Sequence, residues 1–408
     1  MSQRLAGRRL PRWSELEQLL RPQRLTLDPV QRRLARAHTI ADLRAIAARR
    51  VPRAVFDYTD GAAESEASLR RARQCFARVE FHPSVLRDVS SVDTGVTVLG
   101  KRWPLPFALA PTGFTRMMHH EGEYAVVRAA ERAGLTYALS TMGTASVEQV
   151  AAEAPGVPKW FQLYVWRDRV ASKDLIERAA AAGYEALILT VDTAVAGARM
   201  RDVRNGLTVP PALTPSTVLD AARHPAWWFN LLTTEPLSFA SLNGWRGTVA
   251  SLVNSMFDPS VTFDDIDWMR EAWPGPLLIK GIHTVADARA AVEHGVDAII
   301  VSSHGGRQID RAAGTLELLA PIVDAVGDRA EVLLDTGIMR GGDVVAALAL
   351  GAKACLVGRA YLYGLMAGGE RGVDRAIAIL AEEITRTLQL LGAGGAAELN
   401  RSHISLRE

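Results

Sequence analysis

The chain has 408 residues, 48% of them apolar, and a formal net charge of +2. That balance fits a soluble globular protein with a large core, and it supplies no global charge for nucleic acid. Its two cysteines, Cys75 and Cys355, fit no metal or redox spacing and point to a reducing compartment.

Residues 1–37 read as an irregular basic arm, carrying Arg4, Arg8, Arg9, Arg12, Arg21 and Arg24. The arm lacks the continuous apolar core of a secretory signal, so a cytoplasmic location is expected. No uncharged apolar run reaches the roughly 18 residues needed to span a bilayer. Thr39 then caps a helix over Ile40–Arg50, which Pro52 ends. A second helical pattern covers Arg53–Tyr58 and is broken by the turn residues of Asp57-Tyr58-Thr59-Asp60-Gly61. Ser65–Phe76 is a third helix, and residues 80–100 read as short strands and turns.

From Pro104 a repeat sets in, with short apolar runs alternating with helical segments, as in parallel βα units. The runs are Pro106–Ala110, Tyr137–Ser140, Lys159–Leu163, Ala186–Asp192, Leu277–Lys280, Ala298–Ser302, Glu331–Asp335 and Ala354–Val357. Helices between them, such as Glu121–Ala133, Lys173–Ala182, Val285–His294 and Asp343–Leu350, end at glycine, as left-handed C-terminal caps do. The predicted fold class is α/β, a (β/α)8 TIM barrel over about 104–372 within one domain of residues 38–408. One connection is long, about 194–276. An insertion there lies on the face where barrels carry their sites, so a lid is expected. Its stretch Trp227-Trp228-Phe229-Asn230-Leu231-Leu232 could form an exposed apolar patch. Val373–Leu391 is a last helix, and the tail from Glu398 is polar.

Barrel chemistry sits at the C-terminal ends of the strands. Those ends read Pro111-Thr112-Gly113, Ser140, Gln162 with Tyr164, Thr190 with Asp192, Lys280, Ser302 with His304 and Arg307, Asp335, and Gly358-Arg359. Three requirements are visible in this set. The loops Asp335–Gly342 and Val357–Arg359 suit a phosphate, because glycines let backbone N–H groups approach an anion and Arg359 adds charge. Thr112, Ser140, Gln162 and Thr190 suit the edge of a heterocycle. His304, Asp192, Arg307, Arg199, Tyr164 and Tyr58 form an acid–base centre with a carboxylate clamp, since histidine moves protons near neutral pH and arginine holds carboxylates through paired hydrogen bonds. A non-redox phosphate-binding barrel would share the first of these features.

The stretch Ser302-Ser303-His304-Gly305-Gly306-Arg307-Gln308 resembles the S-N-H-G-[AG]-R-Q signature of the FMN-dependent 2-hydroxy acid oxidising family. Ala110–Gly113, His120–Glu123, Phe161–Tyr164, Leu189–Asp192, Lys280-Gly281 and Val357–Arg359 match it collinearly, from about Thr39 to His403. Asp57–Gly61, the Trp-rich insertion and Phe257-Asp258-Pro259-Ser260 are most similar to the bacterial L-lactate dehydrogenases of that family.

The resemblance implies FMN as cofactor and a small 2-hydroxy acid, best L-lactate, as substrate. His304 is then the base, Asp192 its partner, and Tyr164 the donor to the substrate oxygen. Arg307, Arg199 and Tyr58 hold the carboxylate. Lys280 lies at the flavin, where its charge favours the reduced ring. Pro111, Thr112, Gly113, Ser140, Gln162, Thr190, Ser302 and Asp335 hold the ring and ribityl chain, and Gly337, Gly358 and Arg359 the phosphate. No metal is implied. Electrons would pass to quinone, with the protein peripheral on a membrane, or to oxygen in an oxidase. A homotetramer is implied by resemblance alone. Ser303, Met339 and Met142 depart from the pattern, standing where relatives place an asparagine, an arginine and a tryptophan.

Overall fold

Eight short strands pair in parallel and close on themselves in chain order, with Cys355 beside Phe107 at the seam. In this computed structural model, which describes residues 9–19, 26–206, 219–220, 222–237, 240 and 257–407, they are Phe107–Leu109, Tyr137–Ser140, Lys159–Leu163, Ala186–Thr190, Leu277–Ile282, Ala298–Val301, Glu331–Asp335 and Cys355–Val357. The expected barrel is therefore present, with most strand ends within two residues of the sequence reading.

Strand alternation divides the core in two. Phe107 and Leu109 point out to the helices, while Ala108 and Ala110 point into the barrel with Ile188, Leu278, Ile300 and Leu333. Fully buried side chains such as Leu139 and Phe161 contribute about 1.5–3 kcal/mol each. A hairpin, Val96–Val98 with Lys101–Trp103, closes the N-terminal mouth, where Trp103 packs 5.3 Å from Trp160. The opposite, C-terminal mouth stays open to a cavity.

The N-terminal arm is less irregular than expected. Trp13–Leu19 and Pro29–Leu34 are helices, the second capped by the Asp28 carboxylate, which accepts from Val30 N and Gln31 N. Helices this short leave little periodic signal, so composition alone hid them. Ile40–Arg50 has the expected bounds, and a Thr39–Asp42 capping box opens it. The next helix runs on to Asp60, so the turn read at Asp57–Gly61 begins only at Gly61. Asp60 is buried and receives Arg44, Arg201 and the Tyr363 hydroxyl, which ties this helix to the barrel and to the insertion. The polar tail also holds structure, since Ile404–Leu406 pairs antiparallel with Val79–Phe81.

Within the long connection, Asp265–Ala272 is the regular helix that precedes the fifth strand. The described insertion contributes Met200–Arg204 and Pro225–Thr233. The aromatic stretch is not one exposed patch. Trp227 is buried and its indole N–H donates to the Met117 carbonyl at 2.9 Å, whereas Phe229 and Leu232 are exposed. Among the described residues, no helix is long and apolar enough to cross a membrane.

Candidate active site

A cavity of about 960 Å³ opens at the C-terminal mouth. Strand register builds one wall of it. Ser140 lies beside Gln162, and Thr190 beside Lys280. The Ser140 hydroxyl donates to Gln162 Oε1 at 2.8 Å and thereby fixes the amide. Among the described residues, Gln162 Nε2 is left buried without a partner, as is Thr190 Oγ1. Each such orphan costs about 1–3 kcal/mol unless a ligand satisfies it. Lys280 is 3% exposed, with Nζ 3.4 Å from Asp335 Oδ2. A bulge follows at Gly281, whose φ of +110° favours glycine and where a Cβ would come within 2.8 Å of Asp192.

The loops after strands seven and eight form the far end. Gly337 has φ +89°, and a Cβ there would lie 2.9 Å from the Phe76 ring, so only glycine fits. Arg359 reaches the cavity, with its guanidinium donating to the carbonyls of Thr59, Gly305 and Gly61 at 2.7–2.8 Å. Among the described residues, two of its five N–H bonds have no partner and remain for an anion. Met339 lines the cavity, while the neighbouring Arg340 is exposed and outside it. Pro111, Thr112, Gly113 and Gly358 close this end, and Thr112 Oγ1 is 2.6 Å from the Tyr361 hydroxyl.

On the opposite side stands His304. Its Nδ1 is 2.9 Å from Asp192 Oδ1, and a carboxylate can only accept, so Nδ1 donates and Nε2 is the basic nitrogen. Nε2 lies 3.4 Å from the Tyr164 hydroxyl. Tyr58 has two guanidiniums near its ring, Arg307 at 4.7 Å and Arg199 at 5.9 Å. Arg307 donates to the Tyr58 carbonyl, while Arg199 Nε is buried without a partner among the described residues. Arg201, the other arginine close by, turns away to Asp57, Asp60 and Glu66, so Arg199 is the member of that group that faces the cavity.

Burial lowers the pKa of His304 below the ordinary histidine value; Asp192 opposes the shift and Lys280 adds to it. The imidazole is therefore neutral at pH 7. Burial raises the pKa of Asp192, but His304 and Lys280 outweigh it, so the carboxylate stays charged. Burial, then the neighbouring Arg199, pulls Arg307 down to about 9, still protonated at neutral pH. Burial pushes the Tyr164 phenol up, which keeps it a neutral donor.

The structure thus gathers Tyr58, Pro111, Thr112, Gly113, Ser140, Gln162, Tyr164, Thr190, Arg199, Lys280, His304, Arg307, Asp335, Gly337, Gly358 and Arg359 around one cavity. Asp192 stands behind His304 as expected. Ser302 does not reach the cavity. It is fully buried, and its hydroxyl donates to Asp335 Oδ2 at 2.8 Å and accepts from His304 N at 3.0 Å. Three residues to which the sequence reading gave no role of their own also shape the site, although Thr336 lies in its phosphate loop and Gln308 in its signature stretch. Thr336 Oγ1 accepts from both Ser303 N and Gly305 N. Gln308 Nε2 donates to the carbonyls of Asp192 and Val195. Asp202 lines the cavity near both arginines, its pKa raised by burial.

Comparison with known proteins agrees with this geometry. A model of the FMN-dependent dehydrogenases matches residues 47–406. A protein of Mycobacterium tuberculosis named putative L-lactate dehydrogenase is 56% identical over 399 residues, covering 98% of this chain and 96% of its own. The L-lactate dehydrogenase of Caulobacter vibrioides is 42% identical, over 90% of this chain and 97% of its own. Among solved structures, the monotopic membrane protein (S)-mandelate dehydrogenase superposes with a TM-score of 0.88 at 36% identity, covering 91% of this chain and all of that one. A mandelate oxidase variant with (S)-mandelic acid gives 0.78 at 37% identity, over 90% of this chain and 98% of its own. With its barrel, its strand-end site and a matching model over most of its length, the chain belongs to the FMN-dependent dehydrogenase family.

Proposed function

We propose that this enzyme oxidises a small L-2-hydroxy acid, L-lactate first, to the 2-oxo acid, and passes the electrons to a quinone at a membrane surface. The observation that carries the reading is the His304–Asp192 pair facing the same cavity as two partly buried arginines and two polar groups without partners among the described residues.

The residues present fit FMN. Among the described residues, Gln162 Nε2 and Thr190 Oγ1 lack partners that a ring edge would supply. Ser140, Thr112, Pro111, Gly113 and Asp335 would complete that wall, with Lys280 placing a buried positive charge at the ring. Gly337, Gly358 and the remaining Arg359 N–H groups would hold the phosphate. FMN, when bound, accepts two electrons from the substrate and delivers them to the acceptor.

The chain's own part follows from the other side of the cavity. Arg307 and Arg199 bind the substrate carboxylate, and their guanidiniums both lie over the Tyr58 ring, which helps keep them in place. The Tyr164 phenol, neutral because it is buried, donates to the substrate oxygen. His304 Nε2 takes a proton from the substrate, and Asp192 stabilises the imidazolium that forms. L-Lactate is supported by the names of the two relatives above, and a larger hydroxy acid by the apolar wall of Met142 and Phe257 beside Tyr164.

Anaerobic mixing of the purified enzyme with L-lactate, D-lactate, glycolate and (S)-mandelate tests the reading. The flavin should bleach fastest with L-lactate and not at all with D-lactate. A protein without flavin, or a flavin that none of the four acids reduces, would sink it. Peripheral attachment is supported by exposed Phe229 and Leu232 on the insertion helix and by the monotopic relative. Sedimentation with anionic lipid vesicles should carry the protein down, and a protein wholly in the supernatant refutes attachment.

A further inference from the structure

A second cavity, about 510 Å³, lies beneath the insertion helix Pro225–Thr233. It shares a wall with the flavin cavity. Met118, itself buried, lines both. The lining is two-sided. Trp227 and Leu231 from the insertion helix, with Met366, give it apolar surface, and His119, His120 and Arg116 give it donors. His120 Nδ1 is buried and has no partner among the described residues. Trp227 pins the helix to the short helix Thr115–Met118, which carries Met118, through its bond to the Met117 carbonyl.

Charge selects among occupants. Arg33, Arg50 and Arg116 line this cavity with no carboxylate partner among the described residues. The two nearby carboxylates are engaged, Glu121 with Arg128 and Glu370 with Arg128 and Arg132. Burial, then His120, Arg50 and Arg33, depresses the His119 pKa to about 3, so this ring adds no charge. His119, His120 and Glu121 stand close enough together to hold a metal ion, yet the surrounding arginines repel a cation. The site favours a flat, apolar molecule whose oxygens accept hydrogen bonds and gain negative charge on reduction.

We propose that this second cavity holds the ring of the quinone acceptor, with His120 Nδ1 donating to a ring oxygen and Met118 as the partition from the flavin. The inference rests on the proposed dehydrogenase reaction and gives its acceptor a place. In that reaction the hydroxy acid loses two electrons and two protons, and the quinone gains both pairs and leaves as quinol. The exposed Phe229 and Leu232 on the same helix would meet the lipid from which a quinone tail extends.

Titration of the oxidised holoenzyme with a short-tailed benzoquinone, followed by quenching of tryptophan fluorescence, tests the site apart from turnover. Ala226 is an exposed residue on the cavity lip, so Ala226→Trp narrows the entrance without disturbing the core. It should weaken quinone binding about tenfold or more. His120→Phe keeps the ring and removes the donor, for a loss of about fivefold. Both variants should be bleached by L-lactate, and reoxidised by a soluble dye, at the parent rates, while reoxidation by the quinone slows. Equal quinone binding in all three proteins overturns the proposal. So does full competition by oxalate, which would place the quinone in the main cavity. If L-lactate fails to bleach the flavin, the dehydrogenase reading falls on that result alone, and the fluorescence titration still decides whether the second cavity takes the quinone.

Discussion

The two sides of the main cavity are held by different means. The side proposed to hold the flavin comes from strand ends, where register sets Ser140 beside Gln162 and Thr190 beside Lys280. The side proposed for the substrate comes from loops. His304 has φ +54°, in the left-handed region, and Gly305 and Gly306 follow it with φ of +67° and +74°. A histidine pays for that backbone in strain, so the loop depends on outside ties. Thr336 grips the Ser303 and Gly305 amides, Gln308 the Asp192 carbonyl, and Asp310 the amides of Ser65 and Ser68. A sheet places groups by its own hydrogen-bond ladder, whereas a loop needs side chains from distant segments to hold it.

The largest test separates chemistry from cofactor retention. His304→Gln should lower the rate of anaerobic flavin bleaching by about 10²–10⁴-fold, the range for loss of a general base. Flavin absorbance per protein should stay at the parent level, because none of the flavin-side bonds involves the imidazole. Loss of flavin from this variant would mean that the two sides are one cooperative unit.

A middle-sized effect compares one tie from each side. Thr336→Val removes the acceptor of two loop amides, at a cost of about 1–3 kcal/mol for each one left buried. Bleaching should slow about tenfold or more while FMN affinity holds. Gln162→Leu should do the reverse, weakening FMN by about fivefold and leaving the KM for L-lactate within about twofold. FMN release from the reverse-titrated protein and steady-state kinetics read the two quantities. Equal changes in both variants would erase the distinction.

The same difference explains what the sequence disclosed. Strand ends were legible because an apolar run that stops at a polar residue marks both the strand and the group it presents, as at Leu277–Lys280. His304 and Arg307 were legible through a local motif. The ties were not: Thr336 contacts a loop more than 30 residues away, and Gln308 reaches back across more than 110. Ser302 misled for the same reason, since nothing local says that its hydroxyl faces Asp335 and not the cavity. Trp227 and Phe229 are equally aromatic in sequence, and tertiary packing alone buries the first and exposes the second. The second cavity draws on the arm, the first βα loop, the insertion and the helix after the eighth strand, so no single stretch announces it.

The smallest expected effect is a shift in pH dependence, and it checks the electrostatics of the loop side. In the proposed reaction His304 acts through neutral Nε2, and its pKa in the folded protein lies below the ordinary value of about 6.5 because burial and Lys280 disfavour the imidazolium. As pH falls through that lowered pKa, Nε2 takes up a proton and the base is lost. The profile of kcat/KM for L-lactate should therefore be level near pH 7, with an acid limb below the ordinary histidine value. Asp192 is the main group pulling the other way, so Asp192→Asn should move the limb further toward acid. Turnover should fall too, since the imidazolium formed in the reaction loses its counter-charge. A limb above 6.5 in the parent, or one that moves toward alkali in Asp192→Asn, would mean that the titrating group is not this histidine.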